Sequence, residues 1–582
     1  MISRTRDDSY NLRIFLLMLI SLILVGLIGV RLFVLQVFSY DYYSSLARSQ
    51  HQLSKELVPR RGEVFISDRY SQHPYPVVVN INEPLLSVDP QQITNALELA
   101  KYLATALEMD VKYVLEKISD TSRKYVVVAK QVPEDKAKEI SEMGFSGVYF
   151  EDQIFQTYPE ANLASQVLGF VAFDQDKRSG RYGIERYFDE DLAGIPGFLQ
   201  TETGLRLGLT VSSDGEEKVV PARDGLDLVL TMDRAIQYKV EEVLKKTVDT
   251  HSAKSGSVIV LDPKTGAVLA MANYPSFDPN QFNLEEDAGV YSNKSIQEAY
   301  EPGSVMKPIT MASSLEEGAV TPDMTFDDPG FVTLEKFTIR NSENKKYGTV
   351  TMTQVLEESI NTGAIFVEQQ LGHDKFEKYM ENFGFGESTD ITLPFEAPGD
   401  ISNLYRGGDL YPATISYGQG MTATPLQLVS AYAVIANGGK LYKPYIVDRV
   451  IDGEGNIEKT EPEVVREVIS PRTASTLGAM IVSVVEHGHG KRAGVPGYFI
   501  AGKTGTAQVA SSDRVGYDPN KTIGSFIGFG PIDNPVFTMI VKIDEPQGVR
   551  FAESTAAPAF AEIAQFILNY YQIPASRGPA QN

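Results

Sequence analysis

The chain has 582 residues and a formal net charge of −23, with 53 Lys and Arg against 76 Asp and Glu. That length exceeds one ordinary domain and can bury a large core, while the acidity leaves no basic surface to meet a nucleic-acid partner. The absence of cysteine excludes disulfides, thiolate catalysis and cysteine metal sites, the six histidines offer no metal-binding spacing, and no Gly-x-Ser-x-Gly elbow points to a serine–histidine hydrolase.

Residues 14–30 form an uncharged run of 17. This is the short end of a membrane span, and Arg31 can snorkel while Leu32 to Phe38 extend the helix. A cleaved signal peptide would have a shorter apolar region, and the weak cleavage pattern Ser45-Leu-Ala47 lies well beyond the run. Arg4, Arg6 and Arg13 precede the span, whereas residues 32–47 contain no Lys or Arg. The positive-inside rule therefore predicts a single-pass anchor at 14–38 in the cell membrane, with residues 1–13 in the cytoplasm and all else outside.

Residues 39–222 read as a mixed domain of short strands and helices without a catalytic constellation. Its distinctive stretches are Arg60-Arg-Gly-Glu-Val-Phe-Ile-Ser-Asp-Arg69 and Tyr182-Gly-Ile-Glu-Arg-Tyr-Phe188. The run from Glu151 to Phe155 partly matches a peptidoglycan glycosyltransferase motif, but Tyr158 and Glu160 stand where that motif needs His and Gly. A second enzymatic domain is therefore not expected.

A new domain is predicted from residue 223, with a strand near Asp224 to Thr231, a helix over about 233–250 and a hairpin over 256–273. Then comes Tyr300-Glu-Pro-Gly-Ser-Val-Met-Lys-Pro-Ile-Thr310, a loop turning into a helix. Ser304 and Lys307 are three residues apart, on one helix face. The amine can thus reach the hydroxyl, and a buried, neutral lysine can act as its base. Free N–H groups at the helix start can steady an oxyanion. Ser-x-x-Lys alone is weak, since average composition gives roughly two such matches in a chain this long. A second match, Ser342-Glu-Asn-Lys345, lies in a polar run and reads as a solvated loop.

Two further pieces narrow the choice. Ser359-Ile-Asn361 follows a helical run led by Thr351 and Gln354, a capping-box pattern. Lys503-Thr-Gly-Thr506 lies within a strand-like run from Tyr498 to Gln508. Lys264-Thr-Gly266 repeats part of that motif between two apolar runs, where it reads as a hairpin turn. Residues 426–436 read as an apolar helix, 524–530 and 536–543 as strands, 562–571 as a closing helix and 574–582 as a loose tail. Strands at both ends with helices between predict a sheet assembled from distant parts of the chain.

The ordered trio Ser304-x-x-Lys307, Ser359-x-Asn361 and Lys503-Thr-Gly is the signature of penicillin-binding proteins and class A β-lactamases. With the anchor, Arg61-Gly, Asp68-Arg69 and Gly183-Ile-Glu185, the chain over nearly its full length resembles a class B penicillin-binding protein, a monofunctional peptidoglycan D,D-transpeptidase. Glu301-Pro-Gly-Ser304 and Asn361 make it most similar to the cell-division branch, with the elongation type as the alternative. A β-lactamase would need a Glu placed to activate a deacylating water, and a non-catalytic β-lactam or muropeptide sensor would acylate without transfer. The resemblance implies a mixed α/β (α+β) chain: a tail (1–13), an anchor (14–38), a pedestal (39–222), a transpeptidase domain (223–573) with an antiparallel sheet between helical layers, and a flexible tail (574–582). It also implies Ser304 as nucleophile, Lys307 as base, Ser359 as proton relay, Asn361 as substrate orienter and Lys503, Thr504 and Thr506 as carboxylate holders. The N–H groups of Ser304 and Thr506 would form the oxyanion hole, and Gly505 would let the substrate backbone pair along the strand. No cofactor is implied. The implied partners are stem peptides of the lipid-linked precursor, β-lactams, a polytopic glycosyltransferase and other division proteins.

Overall fold

The computed structural model describes residues 54–71, 73–174, 177–200, 218–510 and 516–576, with isolated positions within 18–26 and 205–210. Among the described residues no helix is long and apolar enough to cross a membrane. Apart from helical positions Met18, Leu19, Leu22, Leu24 and Gly26, the anchor expected at 14–38 lies outside the described residues.

Contacts divide the chain into two compact units, Met1–Pro59 with Gly194–Asp224, and Arg60–Ala193 with Gly225–Asn582. The first unit contains a three-stranded antiparallel sheet of Ser54–Leu57, Gly197–Gln200 and Lys218–Val220, with Gly197–Gln200 in the middle. This division differs from a boundary at 222/223, because most of the expected pedestal belongs to the same unit as the catalytic motifs.

The reason lies in strand pairing. In chain order the strands of the second unit's two large sheets are β1 (Val64–Ser67), β2 (Tyr75–Val88), β3 (Val126–Ala129), β4 (Val148–Thr157), β5 (Asp227–Asp233), β6 (Ser255–Leu261), β7 (Val268–Tyr274), β8 (Val447–Ile451), β9 (Ile457–Lys459), β10 (Ala501–Ala510), β11 (Tyr517–Gly530) and β12 (Phe537–Asp544). The first sheet runs β9-β8-β5-β1-β2-β3, with β4 also on β2. Its β5–β1 pair is parallel and joins Leu228 to Val64. A cut at 222 would leave the buried faces of Val64, Ile66, Leu228 and Leu230 without half of their sheet.

The second sheet is antiparallel throughout, in the order β7-β6-β12-β11-β10. Both its faces are covered. Alternate residues of β6 face opposite sides: Val258 and Val260 join one apolar cluster, Ile259 and Leu261 the other. The first cluster takes Ile236, Val240 and Leu244 from helix α1 (Arg234–Thr250) and Phe560, Ile563 and Ile567 from the C-terminal helix (Ala556–Tyr570). The second takes Leu428, Val429 and Tyr432 from Pro425–Ala436. The sheet thus lies between helical layers, as expected.

Local signals account for the boundaries. The Asp233 carboxylate accepts the N–H groups of Ala235 and Ile236 and starts α1. The C-terminal helix begins at Ala556, not near Glu562, since Pro558 falls in its first turn, where a missing N–H has no cost. The run from Glu151 to Phe155 is part of β4.

Candidate active site

Ser304 sits in a 3₁₀ turn, Gly303–Met306, that runs straight into helix α2 (Lys307–Glu316). The turn is held from three sides. Gly303 N–H donates to Gly418 O (2.9 Å), Tyr432 Oη–H donates to Val305 O (2.8 Å), and β10 packs alongside. At Gly505 that packing leaves no space: a Cβ there would meet Pro302 O at 2.9 Å and Val305 Cγ1 at 2.9 Å. Glycine is required at this point so that the strand can approach the nucleophile's turn.

Met352–Glu357 (α3) begins with the expected capping box of Thr351 and Gln354, and Asn361–Leu371 (α4) follows directly. Between them Ser359 adopts φ +55°, in the left-handed region. For a non-glycine residue that conformation costs on the order of 1 kcal/mol. It turns both the carbonyl and the hydroxyl of Ser359 toward the same amine. Lys307 Nζ lies 3.1 Å from Ser304 Oγ, 3.1 Å from Ser359 Oγ, 2.5 Å from Ser359 O and 2.8 Å from Asn361 Oδ1. Asn361 is oriented by its Nδ2, which donates to Arg340 O at 3.1 Å.

Lys307 is 1% exposed. Burial, and then the neighbouring charge of Lys503, hold its amine well below the ordinary lysine range. A neutral amine has two donors and one lone pair. The acceptor-only Ser359 O and Asn361 Oδ1 take the donors, so the lone pair is left for the hydroxyls of Ser304 and Ser359. Two hydroxyls on one buried neutral amine can supply a serine nucleophile with its base in place.

Lys503 stands on β10 and is also fully buried, with Nζ 3.4 Å from Thr504 O. Burial draws its amine down to about 7, opposed by the carboxylate of Glu553. β10 is the edge strand of its sheet, so its outer side is open to an added extended backbone. Thr504 pairs with Phe526 and Thr506 with Gly524 on β11. Ser304, Lys307, Ser359 and Asn361 are thus brought together, with Gly505 beside the nucleophile's turn and Lys503, Thr504 and Thr506 on the same strand.

The family description "Penicillin binding protein transpeptidase domain" matches residues 256–565, and "Penicillin-binding Protein dimerisation domain" matches 56–230. The chain belongs to the penicillin-binding protein transpeptidases. Stage V sporulation protein D of Bacillus subtilis is 33% identical to it, over 96% of this chain and 86% of that protein. The peptidoglycan D,D-transpeptidase FtsI of Buchnera aphidicola is 29% identical, over 98% and 97%. The crystal structure of penicillin-binding protein 3 of Mycobacterium tuberculosis complexed with aztreonam superposes with a TM-score of 0.70 at 25% identity, covering 90% of this chain and 98% of that one. This penicillin-binding serine transpeptidase shares the mixed α/β, two-domain fold of that Mycobacterium tuberculosis structure.

The partial copies of the motifs lie elsewhere in this transpeptidase. Lys264 is an exposed turn residue between β6 and β7, with Nζ donating to Asn534 Oδ1 at 2.5 Å, and Gly266 has φ +81°. Ser342–Asn344 is a single 3₁₀ turn whose neighbour Lys345 pairs with Glu343 at 2.9 Å in solvent.

One contributor lies outside the three motifs. The Glu301 carboxylate accepts the N–H of Gly420 (2.9 Å) and the hydroxyl of Tyr517 (2.8 Å), tying three distant segments beside Ser304. The run Glu301-Pro-Gly-Ser304 marks its position in the sequence but not its distant partners Gly420 and Tyr517.

Proposed function

We propose that the chain is the septal D,D-transpeptidase of its cell, cross-linking peptidoglycan stem peptides through a Ser304 acyl-enzyme. The observation that carries this reading is the Lys307 amine set between the hydroxyls of Ser304 and Ser359. Ser304 Oγ attacks the carbonyl between the two terminal D-alanines while Lys307 takes its proton. The carbonyl π pair moves to oxygen, where the N–H groups of Ser304 and Thr506 receive it. The intermediate collapses by breaking the C–N bond, and Ser359 passes a proton to the departing D-alanine. Asn361 orients the substrate amide, and Lys503 with Thr504 and Thr506 holds the terminal carboxylate. An amine from a neighbouring stem peptide then attacks the ester, forms the new amide and frees Ser304. A β-lactam acylates Ser304 by the same route and stalls there.

The septal role rests on the FtsI-named relative and on Glu301-Pro-Gly-Ser304 with Asn361. We place residues 14–38 as a single-pass anchor in the cell membrane, with the catalytic motifs outside and the region before residue 223 as a pedestal. A polytopic glycosyltransferase and other division proteins dock there. Cross-linking of lipid-linked precursor by the full-length protein tests the reading. Cross-linked product should form, and Ser304→Ala should abolish it. Acylation by penicillin without any cross-linking would favour a sensor instead.

A further inference from the structure

The polar run from Arg340 to Lys346 contains one deeply buried side chain. Asn341 is 4% exposed, and it meets Asp328 and Thr362, both 0% exposed, in one hydrogen-bonded network. Asp328 ends the short strand Thr325–Asp328, which pairs with Gly348–Thr351 just before α3. Its carboxylate accepts from four neutral donors. Thr362 Oγ–H (2.6 Å) and Gly330 N–H (2.9 Å) reach Oδ1, while Asn341 Nδ2 (2.9 Å) and Tyr347 N–H (2.8 Å) reach Oδ2. The other end of the Asn341 amide, Oδ1, accepts the N–H of Thr362 at 3.1 Å.

Thr362 is the second residue of α4, directly after Asn361. The same segment holds both: Asn341 holds Thr362, and Arg340 O accepts from Asn361 Nδ2 at 3.1 Å. With Nδ2 engaged there, Oδ1 is the end of the Asn361 amide that meets Lys307 Nζ, at 2.8 Å. The hairpin of Phe331–Leu334 and Phe337–Arg340 leaves this point after Gly330 and returns to it at Arg340. Asp328, bonded to Gly330 and to Asn341, closes the base of that hairpin and fixes the Arg340–Asn341 pair against α4.

We infer that Asp328 is a positioning residue of this transpeptidase: through Asn341 and Thr362 it holds the first turn of α4, so that the Asn361 amide meets Lys307 and the substrate. The inference rests on the role given to Asn361 above. Only a carboxylate offers acceptors on both ends of so short a side chain. In Asp328→Asn an NH2 group takes the place of one oxygen and meets either Gly330 N–H or Tyr347 N–H, donor against donor. A buried donor without an acceptor is costly, so the network must shift. A shift of about 1 Å beside a reacting centre can slow the chemistry by about a hundredfold.

The test is acylation of the purified full-length protein by benzylpenicillin, with the rate at saturating probe separated from probe binding. Asp328→Asn should lower the saturating rate by about ten- to hundredfold. In the Asn361→Ala background the same substitution should add less than about twofold, because the group it acts through is gone. Its cost in unfolding midpoint should be equal in the two backgrounds. Thr362→Val, which removes one donor and strands none, should lower the rate about three- to tenfold with the same dependence on Asn361, and it decides the matter should Asp328→Asn fail to fold. A wild-type rate in the variants, or a rate lowered by the same factor with and without Asn361, would overturn the inference and leave Asp328 a structural residue. A wild-type rate in Asn361→Ala itself is a different result. It would remove Asn361 from the reaction, and the inference with it.

Discussion

The guanidinium of Arg61 meets the carboxylate of Glu185 at 2.6 Å, across 124 residues of sequence, with the two side chains 3% and 0% exposed. Arg61 also donates to Glu185 O (3.1 Å) and pairs with Asp189 at 2.8 Å, while Tyr158 Oη–H donates to Glu185. The two stretches most distinctive in the pedestal sequence are thus halves of one buried contact. Removing one partner leaves the other charge buried and alone, which costs about 3–5 kcal/mol. Arg61→Met should lower the urea midpoint of the unit accordingly, and Arg61→Met with Glu185→Leu should recover most of the loss. Equal losses in the single and double variants would show that the pair is not coupled.

This contact marks the boundary of what was legible. Ser304, Lys307 and the capping box of Thr351 and Gln354 lie within one or two helical turns, so periodicity and spacing reveal them. The β6–β7 hairpin is likewise local, with Lys264 in its turn. By contrast, β5 pairs in parallel with β1 more than 160 residues away, and no local pattern records a partner at that distance. The left-handed Ser359 was equally hidden, because tertiary contacts hold it there against its intrinsic preference. Asp328 and Thr362 lie 34 residues apart, and Asp328 carries no motif. It becomes visible only when Asn341 is seen against the start of α4.

Lys503 joins function to a stability cost. Its amine ionises near 7 in the fold against an ordinary 10.5. The unfolded chain therefore binds more protons, and the penalty is full below about 7 and fades as pH rises toward 10.5. At ~1.4 kcal/mol per unit the penalty reaches up to about 4 kcal/mol at neutral pH. Lys503→Met should raise the unfolding midpoint at pH 7 and gain less at pH 10. The same variant should acylate roughly 10- to 150-fold more slowly, the loss of a charge-assisted contact of about 1.5–3 kcal/mol. Lys264→Ala, on an exposed turn, should acylate at the wild-type rate. If Lys264→Ala is the slow variant, the third motif has been placed on the wrong strand.

At Ser359 strain and chemistry can be separated. Ser359→Ala keeps a Cβ at φ +55° and loses the hydroxyl beside Lys307, whereas Ser359→Gly loses both. The glycine variant should be at least as stable as the alanine variant, because glycine enters the left-handed region freely. Both should acylate about a hundredfold more slowly or worse, the scale of a lost proton-transfer group. Wild-type acylation by either variant would remove Ser359 from the proton path.

Ser304 is proposed as the nucleophile and Lys307 as its base. Intact-protein mass spectrometry after incubation with benzylpenicillin, followed by peptide mapping of the adduct, tests it most directly. A single penicilloyl adduct on the peptide containing Ser304 is predicted, lost in folded Ser304→Ala and retained in Ser342→Ala. An adduct mapped to any other residue, or one that persists in Ser304→Ala, would contradict the account.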